Sequence, residues 1–226
     1  MDITYEETAR MIDHSLLNPV LTDEAMDEGC RLAVDYGVAT VCIKPYYVRH
    51  CAELLAGSSV KPTTTIGFPH GGHSTAEKVA EARAALSDGA LELDMVVNIG
   101  KVLSLDWNYV TRDIAEVTWE AHDSGALIKV IFENCFLEDG HKTALCKICG
   151  EVGADFVKTS TGFGGGGATI EDVKLMRAHA PANVQVKAAG GVRNLDRLLE
   201  FRDAGATRIG ATATAAILDE ARRRLA

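Results

Sequence analysis

The chain has 226 residues, 23 Lys and Arg against 32 Asp and Glu, a formal net charge of −9 and a hydrophobic share of 47%. That apolar content fills a sizeable core and excludes a disordered chain, while an acidic balance without a long Lys/Arg run argues against nucleic acid as a partner. Neither an 18-residue apolar run nor the basic-then-apolar head of a signal peptide is present, so the expectation is no membrane, a cytoplasmic location and free thiols at Cys30, Cys42, Cys51, Cys135, Cys146 and Cys149.

In chain order, the first β-like run is Ile12 to Leu17, and Thr22-Asp23-Glu24 then places a capping hydroxyl and two acids at a helix start. Gly37-Val38 precedes the run Ala39 to Lys44, and a third run covers Thr63 to Phe68. Ser74-Thr75-Ala76-Glu77 is a capping box that opens a helix to about Ser87. Next come Gly89-Ala90 before Leu91 to Val97, Gly125-Ala126 before Leu127 to Glu133, and Gly153-Ala154 before Asp155 to Thr161. Thr169-Ile170-Glu171-Asp172 starts another helix, Asn183 to Gly190 forms a seventh run, and Gly205-Ala206 precedes the eighth, Thr207 to Thr212. Glycine after a helical stretch suits a left-handed C-cap, and the apolar run after it suits a buried parallel strand.

The eight starts fall near residues 12, 39, 63, 91, 126, 155, 183 and 206, spacings that each hold one strand and one helix. The predicted fold is therefore α/β, a single (β/α)₈ TIM-barrel domain over residues 1–226. An open doubly wound sheet fits less well, because the spacing is even and no Gly-x-Gly-x-x-Gly turn follows the first strand.

Alternate residues of a strand face opposite ways. If Leu91, Leu93 and Met95 face the helices, Glu92 and Asp94 point into the barrel; the same parity sends Lys129, Glu133, Lys158 and Lys187 inward, with Lys44 added from the second strand. Barrel interiors are ordinarily filled by branched aliphatics, and idle buried ions are costly. A structural salt-bridge network is one explanation. For Lys158 and Lys187, each at a strand's C-terminal end beside a glycine-rich loop, chemistry is the better one.

A lysine is nucleophilic only as the free amine, and a second cation together with partial desolvation disfavours the ammonium. Such an amine condenses with a carbonyl to an iminium, an electron sink for breaking or forming carbon–carbon bonds that calls for no metal and no cofactor. Asp94 would carry the protons, directly or through one water. Glycines supply the second half of the site: Gly162 and the run Gly164 to Gly167 after strand six, Gly190-Gly191 after strand seven, and Gly210-Ala211-Thr212 after strand eight. Loops after the last barrel strands are a usual phosphate site, since glycine lets backbone N–H groups approach an anion.

At these residues the sequence resembles the deoxyribose-phosphate aldolase family of Schiff-base (class I) aldolases. The resemblance is carried by Ile12-Asp13-His14-Ser15-Leu16-Leu17, Ile66-Gly67-Phe68-Pro69, Leu93-Asp94-Met95-Val96-Val97-Asn98, Phe156-Val157-Lys158-Thr159-Ser160-Thr161-Gly162-Phe163 and Val186-Lys187-Ala188-Ala189-Gly190-Gly191-Val192-Arg193. It implies that Lys158 is the Schiff-base nucleophile, Lys187 the neighbour that depresses its pKa, and Asp94 the acid/base. It also implies phosphate binding at Gly162, Gly190, Gly191 and Gly210, with Thr212 in the same eighth-strand loop. The implied reaction is reversible cleavage of 2-deoxy-D-ribose 5-phosphate to glyceraldehyde 3-phosphate and acetaldehyde. Its partners would be a small phosphorylated sugar and a short aldehyde, and a homodimer is compatible with the resemblance. Lys44, Asn134, Ala189, Ala213 and the four-glycine run depart from the family pattern and bear on substrate preference.

Other readings stay open at this stage: a related Schiff-base aldolase with another phosphorylated sugar or aldehyde, a metal-dependent aldolase, a sugar-phosphate isomerase, or a non-enzymatic phosphosugar sensor. His70-Gly71-Gly72-His73 is read as a loop histidine pair without metal for want of a third ligand, Cys146 and Cys149 as two half-buried thiols on one helix face, and Trp107 and Trp119 as packing residues.

Overall fold

A computed structural model of the chain describes residues 3–225. Eight parallel strands close into a barrel in chain order: β1 (Ile12–Leu16), β2 (Thr40–Ile43), β3 (Lys61–Ile66), β4 (Glu92–Val96), β5 (Leu127–Ile131), β6 (Phe156–Lys158), β7 (Gln185–Ala189) and β8 (Arg208–Ala211), with β8 paired back to β1. No strand starts more than two residues from its predicted place. Helix α1 (Tyr5–Arg10) precedes β1, and α2 (Asp23–Tyr36), α3 (Val48–Leu54) and α4 (Thr75–Ser87) follow the first three strands. Then come α5 (Ile99–Leu103) with α6 (Trp107–Asp123), α7 (Asp139–Glu151), α8 (Ile170–His179), α9 (Leu195–Asp203) and α10 (Thr214–Arg224).

The helix starts lie where the capping residues put them. The Thr22 hydroxyl accepts from the Ala25 N–H, Thr169 accepts from the Asp172 N–H, and Ser74 and Glu77 form the reciprocal box. Gly37 ends α2 at φ 67°, a left-handed value that an L side chain resists. The helix-facing side of the strands is apolar: Leu93, Met95, Ile128, Val130, Val157, Val186 and Ile209 are fully buried. Each such side chain contributes roughly 1.5–3 kcal/mol of burial.

Two polar side chains, Lys78 and His14, cross this apolar layer. Lys78 of α4, fully buried, donates to the Val96 carbonyl at 2.8 Å and to Asp113 of α6 at 2.5 Å, fixing the end of β4 against two helices. His14 points away from the barrel interior, and its Nδ1 lies 2.8 Å from the Thr214 hydroxyl at the start of α10. Burial pushes the His14 imidazole down to about 4, so it is neutral in the folded protein.

The linkage has a definite sign. The unfolded chain binds a proton at His14 near its ordinary value of about 6.5 and the folded chain does not, so stability falls as pH drops from there towards 4. His14 is expected to account for a loss of about 2 kcal/mol between about pH 7 and about pH 5. Urea unfolding of His14→Gln should show a flatter dependence over that interval than wild type; equal slopes would contradict a buried neutral imidazole.

Candidate active site

Strand register assembles the interior. Asp94 pairs in register with Lys129, Lys158 with Lys187, and Lys187 with Arg208, so neighbouring strands deliver these side chains to the same side of the sheet. Asp94 stands at the centre: its Oδ2 accepts from Lys158 Nζ and from Lys187 Nζ, both at 2.7 Å, while its Oδ1 accepts from Lys129 Nζ at 2.7 Å. Asp13 of β1 bridges Lys187 and Arg208, the latter at 2.6 Å. Glu92 bridges Lys129 at 2.6 Å and Arg208 at 3.0 Å. The inward parity of Glu92, Asp94, Lys129, Lys158 and Lys187 is thus what the barrel contains, and all five are buried.

Three carboxylates are shared by four cations, and their fates differ. For Lys158, loss of water is the strongest influence and pushes its amine down; Asp94 pulls it up, Lys187 pushes it down, and the net value lies below that of an ordinary lysine. For Lys187, burial also pushes down, but Asp13 and Asp94 outweigh it and the ammonium is held well above the usual range. Lys129 is raised in the same way by Asp94 and Asp13. Burial would protonate Asp94, yet the three ammonium groups hold it ionised. The neighbouring lysine therefore ranks behind desolvation in lowering Lys158, where the sequence suggested a cation pair as an equal cause. Cys42, facing the same space, is pushed up to about 11, first by burial and then by Asp94, and stays a thiol.

Two residues assigned inward by parity lie elsewhere. β2 ends at Ile43, and Lys44 precedes Pro45, which holds it extended as the chain turns outward; its Nζ donates to the Leu21 carbonyl at 3.0 Å, at the rim. Glu133 lies past the end of β5 in the left-handed region at φ 57°, which breaks the alternation. Its buried carboxylate accepts from the Thr161 backbone N–H at 3.2 Å and from the Thr161 hydroxyl, clipping the loop after β6.

Lys158 opens into a cavity of about 370 Å³ at the C-terminal end of the strands. Its wall includes Gly162 and Phe163 after β6, Gly190, Gly191 and Arg193 after β7, and Gly210 and Thr212 after β8. All five candidate phosphate residues thus face the same space as the candidate nucleophile. Gly162, Gly190 and Gly191 have φ of 86°, 87° and 89°. Two glycines of the four-glycine run have a packing reason. A Cβ on Gly167 would lie 2.5 Å from the Gly190 carbonyl oxygen, and one on Gly164 2.9 Å from the Glu133 carboxyl carbon. Ala168 N–H also donates to the Ala189 and Gly190 carbonyls, which ties the β6 loop to the β7 loop.

Asp13, Arg208 and Arg193 were not assigned by the sequence reading, although Asp13 and Arg193 lie inside the motifs it quoted. For Asp13 the signal was available, since a carboxylate in an apolar first strand shares the anomaly of Glu92 and Asp94. Of the weaker motifs, His73 faces Glu81 at 3.8 Å, and among the described residues no group of three His, Cys, Asp or Glu is placed to hold a metal ion. Cys146 and Cys149 are fully buried in α7, deeper than expected. Trp107 packs against the core, but Trp119 is 60% exposed because it falls off the stripe of α6 that Val110, Ile114, Val117 and Ala121 bury.

A sequence model of the DeoC/LacD family aldolases matches residues 7–218. The deoxyribose-phosphate aldolase of Rhodopirellula baltica is 59% identical over 224 residues, 99% of this chain and 93% of the relative. That of Thermococcus gammatolerans is 48% identical over 218 residues, covering 96% and 97%. Among solved structures, the tetrameric deoxyribose phosphate aldolase of Aeropyrum pernix superposes with a TM-score of 0.90 at 33% identity, covering 99% of this chain and 94% of that one. The chain belongs to the DeoC/LacD family of aldolases and is an enzyme of that family.

The close approach of the β6 and β7 loops yields a direct check. Gly190→Ala adds a methyl at a positive φ, 2.8 Å from the Gly167 Cα, and should destabilise the fold by roughly 1–3 kcal/mol in urea unfolding. An unchanged midpoint would contradict the packing described.

Proposed function

We propose that this enzyme reversibly cleaves 2-deoxy-D-ribose 5-phosphate to D-glyceraldehyde 3-phosphate and acetaldehyde through a Schiff base on Lys158. The observation that carries the reading is the lowered proton affinity of one buried amine, held 2.7 Å from an ionised carboxylate and facing a glycine-lined cavity. The names of the curated relatives support the substrate.

In this mechanism the Lys158 amine adds to the C1 aldehyde of the open-chain sugar, and loss of water gives an iminium. The C3 hydroxyl then surrenders its proton and the C2–C3 bond breaks. Its electron pair flows into the iminium, leaving an enamine and releasing glyceraldehyde 3-phosphate. Protonation of the enamine carbon and hydrolysis return acetaldehyde and the free amine. Asp94 takes and returns protons through water, and Lys187 beside it supplies positive charge. Gly162, Gly190, Gly191, Gly210 and Thr212 offer N–H groups and a hydroxyl to the 5-phosphate, and Arg193 adds a charge to the same wall.

No described helix is long and apolar enough to cross a membrane. We take the cytoplasm as the working location and a homodimer as the unit of assembly. The tetramer of the Aeropyrum pernix relative supports self-association, and light scattering that returned a monomer mass would remove the dimer.

Borohydride with acetaldehyde should leave one ethyl group on Lys158 of the wild type and none on Lys158→Ala, located by peptide mass. The same variant should release no acetaldehyde from deoxyribose 5-phosphate. Turnover that survived in Lys158→Ala, or that vanished from wild type after dialysis against a chelator, would contradict the reading. Arg193→Ala should raise KM for deoxyribose 5-phosphate by about tenfold, the loss of one charge-assisted contact, while leaving unphosphorylated deoxyribose unaffected. Equal losses on both substrates would exclude a phosphate contact.

A further inference from the structure

The lowered proton affinity of Lys158 has a counterpart towards the other end of the strands. Arg208 begins β8 and Glu92 begins β4, so both lie at the N-terminal ends of their strands, while Lys158 ends β6. Arg208 donates to Asp13 at 2.6 Å and to Glu92 at 3.0 Å, and its guanidinium lies 5.2 Å from the centre of the Phe156 ring. Without it the interior would pair off one to one: Asp13 with Lys187, Glu92 with Lys129 and Asp94 with Lys158. With it, two of the three carboxylates are drawn upon by a cation that does not release its proton. Asp94 must then serve Lys187 and Lys129 as well, and four positive charges meet three negative ones.

We propose that Arg208 is a positioning residue that leaves the interior one carboxylate short, so that Lys158 is the cation released as a neutral amine. This inference rests on the Schiff-base reading of Lys158. The groups that face the network from the remaining strands do not restore the balance: β2 brings the Cys42 thiol, and β3 brings the hydroxyls of Thr63 and Thr65, in register with Glu92 and Asp94. Lys158 rather than Lys187 or Lys129 is the one released, because it alone touches a single carboxylate. It also borders the cavity.

The test is the pH dependence of borohydride trapping with acetaldehyde, read as the fraction of chain ethylated. Arg208→Gln should move the midpoint to higher pH by about one unit, so that trapping near neutrality falls about tenfold, and Arg208→Lys should restore it. Glu92→Gln removes a negative charge and should move the midpoint the opposite way. The double variant should return it towards wild type. Circular dichroism separates these effects from unfolding, and Glu92→Gln carries the test if Arg208→Gln does not fold. Trapping reduced by the same factor at every pH, with coincident midpoints, would make Arg208 merely structural and overturn the proposal. A wild type that cannot be trapped at any pH would overturn the Schiff-base reading itself, and the role of Arg208 with it.

Discussion

The structure depends on a shortage of negative charge inside a largely dry barrel. Asp94 is surrounded by three lysine amines, and both of its oxygens are engaged. In water these charges would be solvated independently. In the barrel they are deprived of solvent, and an under-paired ion costs several kcal/mol, so the least compensated cation, Lys158, holds its proton less tightly than an ordinary lysine. A lysine whose proton affinity is lowered because it is dry and under-paired is closer to the free amine that attacks a carbonyl. On the proposed reading, the network below Lys158 therefore serves the chemistry as well as the packing.

The upper end of the barrel solves a different problem. The loops after β6, β7 and β8 line one cavity, and the first two come together without side chains between them. Gly167 and Gly190 permit that contact, with Ala168 bonded to the β7 loop. Glu133 takes an unfavoured left-handed backbone to hold Thr161. Such strain persists where surrounding contacts over-determine it, here at the loop that lines the cavity beside Lys158. The cavity wall is thus partly made of the loops after β6 and β7, which are bonded to one another and, through Glu133, to the loop after β5.

Much of this was legible in the sequence. Glycine C-caps and apolar runs at even spacing located every strand, and capping residues at Thr22, Ser74 and Thr169 located helix starts. Alternation placed Glu92, Asp94, Lys129, Lys158 and Lys187 correctly, because within a regular strand side-chain direction follows from parity alone. The same rule failed at Lys44 and Glu133, since each lies past its strand's last residue, where a proline or a left-handed residue resets direction. Arg208 was invisible for another reason: it opens a short strand among polar neighbours, and its partners Asp13 and Glu92 lie more than a hundred residues away in sequence. Parity also says nothing of which charge dominates, so the primacy of desolvation at Lys158 emerged only with the burial.

The central claim is that one amine of the interior network, that of Lys158, holds its proton less tightly than an ordinary lysine while its neighbours Lys129 and Lys187 hold theirs more tightly. Carbon-13 NMR of protein labelled at the lysine Cε positions tests it most directly, with Lys158→Met supplying the assignment. The account predicts one buried-lysine resonance titrating below the ordinary lysine value, absent in that variant, while Lys129 and Lys187 stay protonated throughout. A Lys158 signal that titrated at or above the ordinary value would contradict it.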